Sequence, residues 1–371
     1  MATFLMARRG SGHSTDSLCL LLGIAEDRYK AALRLHLPKG LDMAPHPQRL
    51  TVTHRAWPLM TPVGGESAVD VVVVEIADGD SRGRGECVPV RRFGETIDSV
   101  LAAINAMKGA VLSGLNRETL QQAMPPGAAR NAIDCAFWGI DANRAYCSVA
   151  DLAGLGAVKP VMTALTLGFD TPDKMAEMAV AHRTRPLFKL ELGGDGDMER
   201  VRAVRQAAPA ARLIVDGNEG WTDVLLREYI PIMLDARVEL IEQPLPAGAD
   251  DALIGLGCPV PICADESCRM VGDLDRVVGK YAAVTVKLDK VGGLTEAFAL
   301  AAAAKRLGLR VMVGGGIGTS LGVAPALLVA QQAEIVDLDG PLRLAFDRAA
   351  GLRYEGGTIY PPDPKLWGGP G

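Results

Sequence analysis

"RLIVDGN" (212–218), "VELIEQP" (238–244), "PICADES" (261–267) and "AVTVKLD" (283–289) succeed one another at intervals of roughly 25 residues. Each is a short apolar run that ends in a charged residue. Short apolar runs also recur as "MTALTL" (162–167), "LFKLEL" (187–192), "RVMVGG" (310–315) and "EIVDLDG" (334–340). Ala- and Leu-rich segments with helical spacing lie between, such as "DMERVRAVRQAAP" (197–209) and "LTEAFALAAAAKRLG" (294–308). Eight strand–helix units of this size predict an α/β protein with a parallel (β/α) TIM-like barrel over residues 159–340.

Upstream, residues 47–158 read as an α+β unit. "VDVVVVEIADGDSRGRGECVPV" (69–90) has the form of a β-hairpin around a Gly/Asp turn, and 95–112 and 127–143 have helical patterning. Such a unit is placed to cap the barrel mouth. Residues 1–46 stand outside the fold argument. Two Arg and a short apolar run there look like an export signal, but Asp16, Glu26 and Asp27 flank the run and no small-residue cleavage site follows. A mobile extension, or a true start at Met43, is expected instead.

The 371 residues are 49% apolar but only 5% aromatic, so the core is expected to consist of Ala, Val, Leu and Ile. A net charge of -5 without a basic cluster argues against nucleic acid as a partner. No apolar run reaches the roughly 18–20 residues of a membrane helix. The seven Cys form no CxxC pair, which suits reduced thiols in a cytoplasmic protein.

Charged residues fall at or near six of the eight strand ends. In a parallel barrel these ends form the rim that holds the active site. Asp216, Glu242 and Asp265 end three consecutive strands, and three carboxylates so close would repel and raise one another's pKa. A divalent cation relieves this, and an all-oxygen set selects Mg²⁺ or Mn²⁺ over zinc. Asn218 and Glu219 are near enough to reach the site, but Glu219 has the opposite strand parity. A metal so held leaves positions for a substrate carboxylate and acidifies its α-proton through an enediolate. Lys287 ends the next strand and is placed to be the base, its pKa lowered by the nearby cation. His182, the one His in the barrel, falls in a helix ahead of the second strand and cannot substitute.

Taken in order, "GRGECVPVRRFGET" (83–96), "VDGNEGW" (215–221), "LIEQPLP" (240–246), "CADES" (263–267), "VKLDKVGGLTEA" (286–297) and "IVDLDGPL" (335–342) resemble the enolase superfamily. Within its muconate-lactonizing branch they look most like the dipeptide epimerases of the L-Ala-D/L-Glu type. The resemblance implies a (β/α)7β barrel under a capping domain, with the tail 341–371 returning to the cap. It also implies Asp216, Glu242 and Asp265 as metal ligands, Lys287 as one of two opposed bases, and a homo-oligomer acting on a small dipeptide. Asp337 and Asp339 share one strand face, and in that family such a pair holds the dipeptide ammonium group.

One position breaks the pattern. The family carries K-x-K on the second strand, its second Lys being the base opposite Lys287; this chain has Lys189 and then Glu191. Epimerisation needs a base on each face of a planar intermediate. Either Glu191 is a working carboxylate base, with Lys189 supporting the site electrostatically, or one face is lost. The second case leaves a one-base relative, N-acyl amino acid racemase-like or a lyase, or a non-catalytic carboxylate-binding paralogue. "PLMTPVGGES" (58–67) lacks the usual Arg of the cap, and "VGGGIGTS" (313–320) has glycines where larger residues are common.

Overall fold

A computed structural model describes residues 46–63 and 65–369, so the extension expected over 1–46 lies, but for its last residue, outside the described residues. Three antiparallel strands come first: β1 (Arg49–Val63), β2 (Glu66–Asp78) and β3 (Ser81–Cys87), in that order across the sheet. Gly79, at a φ of 56°, turns β2 into β3, as the Gly/Asp pair predicts. Helices α1 (Ile97–Leu112), α2 (Arg117–Ala123) and α3 (Ala128–Arg144) follow. Thr96 starts α1 by accepting from Ser99 N–H, and Ser99 Oγ accepts from Thr96 N–H in return.

Helix α3 is buried almost all round because it serves two cores. Ala132, Ile133, Ala136 and Ile140 pack into the cap. Cys135, Trp138 and Ala142 face the barrel. Two glycines let the helix lie directly on β3: a Cβ at Gly83 would stand 1.9 Å from Ala136 O, and one at Gly85 2.1 Å from Ala132 O.

A two-residue strand, β4 (Val161–Met162), leads into the barrel, whose eight parallel strands keep sequence order. They are β5 (Leu165–Leu167), β6 (Leu187–Glu191), β7 (Arg212–Asp216), β8 (Val238–Glu242), β9 (Ile262–Ala264), β10 (Ala283–Lys287), β11 (Arg310–Gly314) and β12 (Ile335–Asp337). Ala164 N–H donates to Val336 O at 2.8 Å and closes the ring. The strand–helix alternation lapses once: a 3-10 turn, Asp251–Leu253, is the regular element between β8 and β9. The Pro- and Gly-rich run from Pro244 to Pro261 gives a physical reason.

Strand parity sorts the interior into layers. Leu187, Ile214, Leu240, Cys263, Met312 and Ile335, with Ala164 and Ala283, form an apolar floor. Two residues further along each strand come Lys189, Asp216, Glu242, Asp265, Thr285 and Asp337. The tail runs back to the cap: Ala345 N–H donates to Pro58 O at 2.9 Å, and Trp367 Nε1 to Arg84 O at 2.9 Å. Cys87, Cys135, Cys147, Cys258, Cys263 and Cys268 are free thiols. Among the described residues no helix is long and apolar enough to cross a membrane.

Candidate active site and metal centre

Asp216 and Glu242 are the last residues of β7 and β8 and stand side by side in register; Asp265 lies one residue beyond β9. All three are buried, and one oxygen from each lies within 4.8 Å of the others. Glu242 Oε1 accepts from Thr285 Oγ1 at 2.7 Å. Glu242 Oε2 and Asp265 Oδ1 have no hydrogen-bond partner of good geometry, although each lies 2.8 Å from a lysine Nζ. An all-oxygen set with lone pairs left free fits a hard divalent cation.

Three lysines surround this cluster. Lys189 Nζ lies 2.8 Å from Glu242 Oε2, 3.0 Å from Asp216 Oδ2, 3.0 Å from Asp337 Oδ2 and 3.7 Å from Glu191 Oε1. Lys287 pairs with Asp265 Oδ2. Lys290 Nζ donates to Asp265 O at 2.6 Å and Thr285 O at 2.7 Å. Burial favours the neutral carboxyl of Asp265, but Lys287 and Lys290 outweigh it and hold its pKa well below the usual range. Burial and the Glu242 charge push Asp216 well up, more than Lys189 offsets. That residual repulsion is what a bound cation relieves.

The chain's own charges act on Lys287 in the opposite sense to the lowering expected from a cation. Burial acts to lower it, yet Asp265 and Glu242 prevail and raise it. The expectation rests on a cation's charge beside it, whereas these carboxylates stabilise the ammonium.

Glu191 closes β6, and Lys287 closes β10, four strands away in a ring of eight and so across the mouth. Glu191 Oε2 accepts from Asn218 Nδ2 at 2.7 Å, and Asn218 N–H donates to Asp216 Oδ1 at 2.9 Å. Asn218 and Glu219 both have positive φ, 49° and 61°, in the turn leaving β7. Glu219 turns outward: Oε1 accepts from Ala247 N–H at 2.7 Å, and Oε2 pairs with Arg92 of the cap.

Asp337 ends β12, while Asp339 lies past the strand, before the 3-10 turn Gly340–Arg343. Their carboxylates nevertheless converge on Thr166. Its hydroxyl donates to Asp337 Oδ1 at 3.0 Å, and its N–H to Asp339 Oδ2 at 2.7 Å. Burial and the Asp337 charge push Asp339 up to about 6. A cavity of about 840 Å³ opens between cap and rim, lined by Leu59, Glu66 and Arg92 on one side and by Asp265, Lys287 and Gly314 on the other. Both segments that depart from the family pattern border it.

Residues 48–154 match the mandelate racemase/muconate lactonizing enzyme N-terminal domain, and residues 172–368 match the enolase C-terminal domain-like family. The chain belongs to the mandelate racemase/muconate lactonizing enzyme family. An L-Ala-D/L-Glu epimerase of Escherichia coli K12 is 42% identical over 315 residues, covering 83% of this chain and 98% of the relative. An N-acetyl-D-glutamate racemase of Pseudoalteromonas sp. is 40% identical over 301 residues, covering 81% and 95%. A crystal structure of an Agrobacterium tumefaciens enolase family member with homology to dipeptide epimerases, bound to sodium and L-Ala-L-Glu, superposes with a TM-score of 0.84. It is 47% identical, with 86% of this chain and 99% of that one covered.

Three further residues touch the site carboxylates and were passed over in the sequence: Lys290, Thr285 and Thr166. Lys290 was in plain view three residues after Lys287, the spacing of one helical turn, and the helix Leu288–Val291 does place it under Asp265. Thr285 shares the parity of Lys287 and was findable on that ground. Thr166 had no sequence signal, because it meets the Asp pair only through closure of β5 against β12.

Proposed function

We propose that this chain is an isomerase that epimerises dipeptides of the L-Ala-D/L-Glu type at the α-carbon of the C-terminal residue. The observation that carries this reading is the arrangement of the rim: Lys287 and Glu191 oppose each other across the mouth, with the three carboxylates between them. The names and ligand of the similar proteins support the substrate class.

Asp216, Glu242 and Asp265 would hold Mg²⁺ or Mn²⁺, which when bound draws charge from the substrate carboxylate and acidifies its α-proton. The charge of that ion would offset the carboxylates that otherwise hold Lys287 as its ammonium, and the Lys287 Nζ amine would then take that proton from one face. The Glu191 carboxyl, oriented by Asn218, delivers a proton to the other face and inverts the centre. Lys189 balances the buried carboxylates, and Asp337 with Asp339 receives the ammonium group of the N-terminal residue. Free thiols without a CxxC pair support a cytoplasmic setting.

A one-sided catalyst is favoured by a separate observation: Glu191 is already engaged by Asn218 at 2.7 Å and faces Lys189 at 3.7 Å. Proton NMR of L-Ala-L-Glu and related dipeptides in D₂O with Mg²⁺ separates the readings. Loss of the α-proton signal with a new diastereomer supports the two-sided epimerase. Exchange without inversion leaves the one-sided catalyst. Silence from both the parent and Glu191→Lys sinks the dipeptide assignment.

A further inference from the structure

Gln243, next to Glu242, is wholly buried and holds a φ of 30°, a conformation uncommon outside glycine. Its side chain shows what this strain secures. Oε1 accepts from the main-chain N–H of Asp265 at 2.8 Å and of Ser267 at 3.1 Å. Nε2 donates to Leu245 O at 2.8 Å, Ser267 Oγ at 2.9 Å and Tyr281 OH at 3.1 Å. Tyr281 OH and Ser267 Oγ in turn donate to Asp250 Oδ2 at 2.6 and 2.7 Å. Lys280 Nζ holds Asp250 Oδ1 at 2.7 Å. The main chain completes the joint: Gln243 N–H donates to Cys263 O at 2.9 Å, and Glu219 N–H to Gln243 O at 2.8 Å.

One side chain thus joins the residue after one carboxylate to the peptide N–H of the next. Asp265 needs such a brace. It lies beyond the last residue of β9, so strand pairing does not hold it, yet it must stay close to two other carboxylates against their repulsion. We propose that Gln243, braced by Tyr281, Ser267 and Asp250, is a positioning residue that sets the spacing of Glu242 and Asp265 for a divalent cation. The inference rests on the triad being the metal site. Groups that orient metal ligands from behind typically change affinity 10- to 100-fold when removed.

Mn²⁺ binding to the full chain, followed by the electron paramagnetic resonance signal of free Mn²⁺, tests this alongside thermal melts in EDTA. The parent binds Mn²⁺. Gln243→Met, similar in volume but unable to make these hydrogen bonds, weakens binding about 10- to 100-fold; Tyr281→Phe weakens it several-fold; both keep the parent's circular dichroism spectrum. A merely structural brace would lower the melting temperature in EDTA and leave the Mn²⁺ Kd unchanged, so folded variants within twofold of the parent overturn the proposal. If Gln243→Met does not fold, Tyr281→Phe and Ser267→Ala decide by the same criterion. A parent that binds no Mn²⁺ overturns the metal assignment itself, and this inference with it.

Discussion

Lys287 and Glu191 divide the stereochemistry of the proposed reaction between them, and they are chemically unequal. A Lys ammonium offsets negative charge developing on the substrate, whereas a carboxylate opposes it. Replacing Lys287 with Ala is expected to slow α-proton exchange by about 10²- to 10⁴-fold, the usual worth of a positioned general base; exchange at the parental rate would remove Lys287 from the chemistry. Glu191→Lys is expected to speed inversion at least tenfold, read as diastereomer formation by NMR. Asp339 adds a pH dependence. Burial and Asp337 raise its pKa to about 6, so below that pH the carboxyl is neutral and its attraction for a substrate ammonium is lost. KM for the dipeptide should therefore rise as pH falls through about 6, and Asp339→Asn should flatten that rise. A KM independent of pH in the parent would argue against the ammonium role.

Among the elements, β3 and α3 show how much a sequence pattern conceals. "GRGEC" reads as an ordinary half-buried strand, and 127–143 as an ordinary helix. Their contact is backbone to backbone, and it requires hydrogen at the α-carbons of Gly83 and Gly85. Gly85→Ala would set a methyl 2.1 Å from Ala132 O, and the helix would have to move. The expected cost is about 1–3 kcal/mol or more, measured by urea unfolding; an unchanged midpoint would mean that α3 slides freely. The same helix carries the cap's hold on the short helix after Lys287, because Asn131 Nδ2 donates to Asp289 Oδ1 at 2.7 Å. Gly85→Ala should thus also disturb turnover.

For the molecule as a whole, the returning tail is the fastening. Trp367 is buried, and its Nε1 donates to Arg84 O on β3 and, at 3.3 Å, to Cys135 O on α3. Arg84 Nη2 donates back to Leu366 O at 2.8 Å. Trp367→Ala is expected to cost about 3–5 kcal/mol, the range for removing a buried indole. A melting curve matching the parent's would show the tail to be dispensable. Much of this architecture was legible in advance. The eight apolar runs were visible because each strand is buried on both faces, and the hairpin because its turn chemistry is local. The 3-10 turn between β8 and β9 was not read, since the eightfold rhythm outweighed the Pro and Gly residues inside one repeat.

By itself the sequence determined the barrel, the cap and the identity of the rim residues, because strand period and chain order are local properties that a linear pattern records. It also exposed the Lys-to-Glu departure at 191, which needs only the neighbouring residues to be seen. Only the tertiary structure decided what those residues touch. Lys189 among four carboxylates, Thr166 between Asp337 and Asp339, and Gln243 bonded to the N–H of Asp265 all join strands distant in the chain. Charges and hydrogen bonds act through space, and ring closure sets those distances.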